Sequence, residues 1–166
     1  MPAYSYKERF VPMVLDLSKG HTIRKRRKKG FAKIGDTIYH YYGLRTKLCR
    51  KLGEAPCTDV RTIVITADGL MLLFKERISD EKFKLLSSKD ISKIYLSIRK
   101  TKHTVLSLKN KNELAWRDGF RPEGSTADQP GNAFELMFRW WKLTHDFPFI
   151  GDIIYWDTTK FIHHKK

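Results

Sequence analysis

The sequence predicts an α+β fold, a small and partly closed β-barrel with flanking helices. Short β-branched and aromatic runs recur along the chain, separated by turn signals such as Gly35-Asp36 and Ala67-Asp68-Gly69. Helical periodicity is clearest in two stretches, one near each end. No repeat and no long linker divides the 166 residues. The chain therefore reads as one domain (1–166), with a core over about 7–157 and a basic tail at 158–166, of which 163–166 is expected to be mobile.

Taken in order, Phe10, Met13, Val14 and Leu17 fall at i, i+3, i+4 and i+7, one apolar face of a short helix with Pro12 in its first turn. Ser18-Lys19-Gly20 ends it, with Gly20 as the left-handed stop. His21 to Arg24 reads as a strand, the run to Gly30 as an exposed loop, and Thr37 to Tyr42 as a second strand. Gly43 to Pro56 is polar, basic and expected to be irregular. A strand over Thr58–Thr66 turns at Ala67-Asp68-Gly69 and returns over Leu70–Phe74. Ser79–Ser88 is ambiguous; Ile91–Ser97 and His103–Leu108 read as two strands, or a helix and a strand. Arg121–Asn132, with two prolines and two glycines, is loop. Ala133–His145 is a helix with Asn132 as cap, and Phe149–Trp156 is a buried strand.

Charge narrows the partners. The chain carries a formal +15, and between Ser18 and Lys51 twelve Lys or Arg face one acid, Asp36. Such concentration points to a polyanion, because each phosphate neutralised releases counterions. No apolar run approaches the roughly 20 residues that span a bilayer, and the N-terminus lacks the apolar core of a signal peptide. The chain reads as cytoplasmic, with Cys49 and Cys57 as reduced thiols. Two cysteines with no paired Cys or His nearby do not make a zinc site, and no phosphate-cradling glycine loop is present. No metal and no organic cofactor is implied.

Lys19, Thr22 and Arg24 lie within six positions, just ahead of an unbroken basic run to Lys29. Together with the Gly35-Asp36 turn and the later Arg117-Asp118-Gly119-Phe120, this order resembles the ASCH domains of the PUA-like superfamily. Ser18-Lys19-Gly20-His21-Thr22-Ile23-Arg24 is similar to that family's Gly-x-Lys-x-x-Thr-Ile-Arg, with Leu17 at the glycine position and Asp118 at the place of a loop glutamate. The resemblance spans about residues 7–157. It implies a β-barrel whose cleft faces the Lys-x-x-Thr-Ile-Arg strand, and an association with RNA binding and nucleotide modification. One branch of ASCH proteins hydrolyses acylated cytidines such as N4-acetylcytidine, and is thought to use a Lys, a Thr and a Glu. By that resemblance Lys19, Thr22 and Asp118 are the candidate catalytic residues.

Three functional readings remain open. As a binding module for RNA, a nucleotide or a nucleoside, the chain would hold phosphates with Arg24, Lys25, Arg26, Arg27, Lys28, Lys29, Lys33, Arg45 and Lys47, and stack bases on Tyr39, Tyr41 or Trp116. Strand alternation puts Tyr39 and Tyr41 on one face and His40 with Tyr42 on the other. Trp140, Trp141 and Trp156 are expected in the core. As an amidohydrolase, Lys19 would act as the base for Thr22, Asp118 would move protons, and Arg24 would steady the oxyanion. As an interaction module, the basic face would dock an acidic protein.

Overall fold

The computed structural model describes residues 1–27, 29–86 and 102–164. Lys28, the expected strand at Ile91–Ser97, and Lys165 and Lys166 lie outside the described residues. Within them the fold is α+β, with eight strands and four α-helices: β1 (Ala3–Tyr6), α1 (Val11–Leu15), β2 (His21–Lys25), β3 (Thr37–Tyr42), β4 (Arg50–Ile65), β5 (Met71–Phe74), α2 (Asp80–Leu86), β6 (His103–Val105), α3 (Leu108–Arg117), α4 (Ala133–Thr144), β7 (Phe149–Trp156) and β8 (Ile162–His163).

β4 organises the sheet. Its first half pairs antiparallel with β3 and its second half with β7, from Cys57↔Trp156 to Ile65↔Phe149. β5 pairs with its last residues and carries β6 on its far side. β1 adds to β3 in parallel, and β2 adds to β7 in antiparallel register. No ladder joins β1 to β2 among the described residues, so the sheet is not closed into the partly closed barrel expected. Arginine side chains span that gap instead. Arg24 Nη2 donates to the Ser5 carbonyl at 2.7 Å, and Arg27 Nη1 to that of Ala3 at 3.1 Å.

The stretch expected to be irregular is in fact the start of β4. Leu52 and Ala55 are buried, and Lys51 reaches over the Tyr39 ring at 4.9 Å, so the strand's charges lie against aromatic surface rather than in a loop. Gly53 hid the strand from a periodicity reading. A Cβ there would sit 2.3 Å from Phe161 Cε1, because the chain's end packs directly on it. The described part of that tail, as far as His164, packs on the sheet. β8 pairs with Gly53 and Glu54, the His164 amide donates to the Leu52 carbonyl at 3.1 Å, and Phe161 lies 5.3 Å from the His40 ring.

The helices hold the strand edges. α1 has Pro12 in its first turn and buries Val11 and Val14. Its stop differs from the expected Gly20: Leu17 takes the left-handed conformation, with φ of 65°. The Lys19 amide then caps the Met13 carbonyl at 3.0 Å, and the Ser18 amide bonds Asp16 Oδ1 at 2.9 Å, which aims Lys19 inward. α3 begins at a Ser107 cap and ends at Asp118. α4 packs on α3 and buries Ala133, Met137 and Trp141. Asn132 caps α4 through its backbone only; the side-chain acceptor at that end is Asn112 Oδ1, which receives the Phe134 amide at 2.9 Å. No helix among the described residues is long and apolar enough to cross a membrane.

Candidate functional site

A cleft of about 350 Å³ opens where β1, β2, the end of α3 and α4 converge. Its floor is an ion pair. Lys19 Nζ lies 2.6 Å from Asp118 Oδ1 and also donates to the Asp118 backbone carbonyl, with side chains 3% and 9% exposed. Two sequence features put Asp118 there. It ends α3, its amide bonding the Leu114 carbonyl, and Gly119 follows at φ of 101°. A Cβ at 119 would meet Phe10 Cδ1 and Met13 Sδ at 2.8 Å, so only glycine lets this turn press against α1 and the cleft wall.

Burial works against both charges. It pushes the Lys19 amine down, opposed by Asp118, and pushes the Asp118 carboxyl up, opposed by Lys19. His21 Nε2 stands 3.9 Å from the same Asp118 oxygen and has no hydrogen-bond partner. Burial, and then the nearby Lys19 charge, keep its imidazole neutral by lowering its pKa well below the ordinary histidine value.

Thr22 and Arg24 form the side of the cleft. Arg24 Nε donates to Thr22 Oγ1 at 3.2 Å, and its guanidinium lies 5.2 Å from the Tyr6 ring centre. Thr22 thus pairs with Arg24, while Lys19 spends its donors on Asp118. The expected relation of Lys19 as base to the Thr22 hydroxyl is not made by a hydrogen bond. Tyr6 is fixed from behind: its hydroxyl shares a 3.0 Å hydrogen bond with Nδ1 of His40, whose ring is fully buried. Burial, with Arg24 and Lys19 adding to it, pushes the His40 pKa down to about 3.

The remaining wall is aromatic and comes largely from residues the sequence reading passed over. Phe10 and Phe120 meet at 5.6 Å between ring centres, Phe120 and Trp140 at 5.6 Å, and Trp141 stacks on His145 at 4.4 Å. All five line the cleft, together with Lys7 and Lys25. Trp140 and Trp141 were expected in the core; Trp141 is buried, but both face this opening. The available signal was the four-residue spacing from Trp141 to His145, the residue that follows α4 and whose amide bonds the Trp141 carbonyl. Trp156 is core, packed edge-on to His40 at 4.6 Å.

The expected base-stacking residues lie elsewhere. β1 covers the free edge of β3, so Tyr6 reaches the cleft and Tyr39 and Tyr41 do not. Trp116 donates Nε1 to Ser125 Oγ at 3.0 Å and carries the Arg121 guanidinium at 4.1 Å, outside the cleft.

The basic run divides in function. Arg24, Lys25 and Arg27 line the cleft. Arg26 turns inward: it bonds Asp152 at 2.6 Å, Thr62 Oγ1 at 2.7 Å and the Ile78 carbonyl at 2.9 Å, and lies 4.2 Å from the Phe83 ring centre. With its side chain 4% exposed it is a structural clamp, not a phosphate contact. The cause is Asp152, a buried acid in apolar β7 that needs a cation. Lys29 and Arg45 are exposed and line a second depression beside the cleft, whereas Lys33 and Lys47 are exposed and line neither.

Cys49 and Cys57 are free thiols, Cys57 buried. Among the described residues no group of three or more His, Cys, Asp or Glu is placed to hold a metal ion. The site defines the chain as an α+β protein with a basic, aromatic-walled cleft built on a buried Lys–Asp pair. No family model matches the chain, and neither a curated protein nor a solved structure matches it.

Proposed function

We propose that this chain is a PUA-like domain of ASCH type that binds RNA or a nucleotide in the cleft. The observation that carries the reading is the meeting, in one opening, of Arg24, Arg27 and Lys25 with the rings of Tyr6, Phe10, Phe120 and Trp140. Cations take phosphate, and aromatic faces take a base. On this reading the gap between β1 and β2, spanned by Arg24 and Arg27, is the seam of a partly closed barrel.

Quenching of tryptophan fluorescence tests it, since Trp140 and Trp141 are in the wall. Uridine or cytidine monophosphate should quench saturably, ribose 5-phosphate much less, and Arg24→Ala should weaken the effect. Absence of saturable quenching by every nucleotide, in protein that melts cooperatively, sinks the proposal.

The Lys19–Asp118 pair favours a second reading, an amidohydrolase acting on N4-acylated cytidines. Buried groups pushed toward their neutral forms suit proton transfer. Water would add to the acyl carbon, the C–N bond would break, and the departing cytosine amine would take a proton relayed by the pair, leaving acetate and cytidine. Chromatography of N4-acetylcytidine incubations decides this. Turnover lost in both Lys19→Ala and Asp118→Ala supports it; turnover retained in both removes these residues from catalysis.

A further inference from the structure

We propose that the ligand of the cleft is a single-stranded polynucleotide, one base occupying the cleft while an adjoining phosphate is held in the second depression by Arg27, Lys29 and Arg45. The inference rests on the nucleotide reading of the cleft and names its substrate class. The second depression, about 500 Å³, lies on the other side of the same seam and shares Ser5, Arg24 and Arg27 with the cleft. The chemistry of its lining is different. Arg24, Arg27, Lys29 and Arg45 contribute charge, and the remaining lining residues include no aromatic ring and no acid. It can grip a phosphate but cannot stack a base. The cleft, with its tyrosine, phenylalanines and tryptophans, can do both.

The turn that brings Arg45 there is built for position. Arg45 has φ of 74°, a left-handed conformation disfavoured for a side-chain-bearing residue. The Leu44 amide bonds Ser5 Oγ at 3.1 Å, while the Ser5 carbonyl accepts from Arg24. One serine of β1 thus ties the Arg45 turn to the arginine that stands between the two depressions. Arg27 uses one guanidinium nitrogen on the Ala3 carbonyl and remains exposed. A base in the cleft must have left its stack, which a single strand allows readily and a duplex resists.

The experiment compares uridine monophosphate with single-stranded tetrauridylate by tryptophan quenching across a salt series, using the full chain and the Lys29→Ala/Arg45→Ala variant. Tetrauridylate should bind at least about tenfold tighter at low salt, and its log–log salt slope should be steeper by about 0.7 for each added phosphate contact. In the variant that slope should fall by up to about 0.7, the share of the one phosphate held there, and the affinity ratio of the two ligands should collapse toward one. If the double variant fails to fold, Lys29→Ala alone, at an exposed position, should weaken tetrauridylate binding and lose part of that slope while leaving uridine monophosphate binding unchanged. Equal affinity of the two ligands for the native chain, or an unchanged slope in the folded variants, overturns the polynucleotide inference while leaving the nucleotide cleft in place. Failure of both ligands to bind overturns the nucleotide reading and this inference with it. An equally tight hold on a tetrauridylate-sized deoxy strand leaves the class intact and says that the sugar is not read.

Discussion

Lys19→Met tests the floor of the cleft most directly. The ammonium and the Asp118 carboxylate are 2.6 Å apart and almost wholly out of water. Methionine keeps the apolar stem beside Phe10, over whose ring the Lys19 ammonium lies at 5.3 Å, and removes the charge. Asp118 then stays buried with the Arg24 charge and the Ile23 amide as its remaining support. Breaking a buried pair from one side costs about 3–5 kcal/mol near neutral pH. That loss acts through the proton affinity of Asp118 and raises its pKa further.

The sign follows from linkage. A carboxyl whose folded pKa lies above its unfolded value contributes stability that is fully present below the unfolded pKa and lost as pH rises through the folded pKa. The deficit of Lys19→Met relative to the native chain should therefore be largest near neutrality and shrink as pH falls toward the ordinary carboxyl value of 3.8. Urea unfolding followed by tryptophan fluorescence, at neutral and mildly acidic pH, measures the deficit. The double variant Lys19→Met/Asp118→Leu, with no buried charge left, should recover most of the loss. A deficit that is the same at both pH values, or a double variant no more stable than the single, would refute the reasoning.

Neighbouring arginines should separate cleanly. Arg26→Ala leaves Asp152 with the longer Arg77 contact at 3.3 Å and should destabilise the chain in urea unfolding, by up to about 3–5 kcal/mol, whereas Arg27→Ala should change stability by no more than about 0.5 kcal/mol while lowering the salt slope of oligonucleotide binding by about 0.7; the reverse pattern would mean the inward and outward roles are misassigned. His40 should stay neutral far below the usual histidine range. Its folded pKa of about 3 lies under the unfolded value of 6.5, so the stability this site contributes is lost as pH falls between those two values. Its imidazole NMR signals should not shift between neutrality and mildly acidic pH, and a titration near 6.5 in the folded protein would contradict the burial argument.

Much of the fold was legible because local patterns and tertiary demands agreed. β3 and β7 fall where β-branched and aromatic runs predict, and α4 spans the stretch whose apolar face recurs at helical spacing. The first half of β4 was not legible because Gly53, Pro56 and the charges around them mask a strand that β3 and the distant β8 hold in place. β8 was no more legible: its two residues carry no pattern, and their place comes from Gly53 leaving room for Phe161. Leu17 in place of Gly20 as the left-handed stop was set by hydrogen bonds to Met13 and Asp16 that no propensity contains.

By itself the sequence determined the α+β class and the concentrated basic stretch, because composition and periodicity are local properties, and its resemblance to ASCH domains singled out Lys19, Thr22, Arg24 and Asp118 as candidates. The tertiary structure alone decided how those groups pair: Lys19 with Asp118, Thr22 with Arg24, and Arg26 with Asp152 across 126 positions of chain. It also decided that Tyr6, Phe10, Phe120 and Trp140 wall the cleft while Tyr39, Tyr41 and Trp116 do not. The physical reason is common to both. A buried charge must find its counterpart, and a strand edge must be covered, wherever in the chain the partner lies. That choice is made by packing in three dimensions rather than by neighbours in sequence.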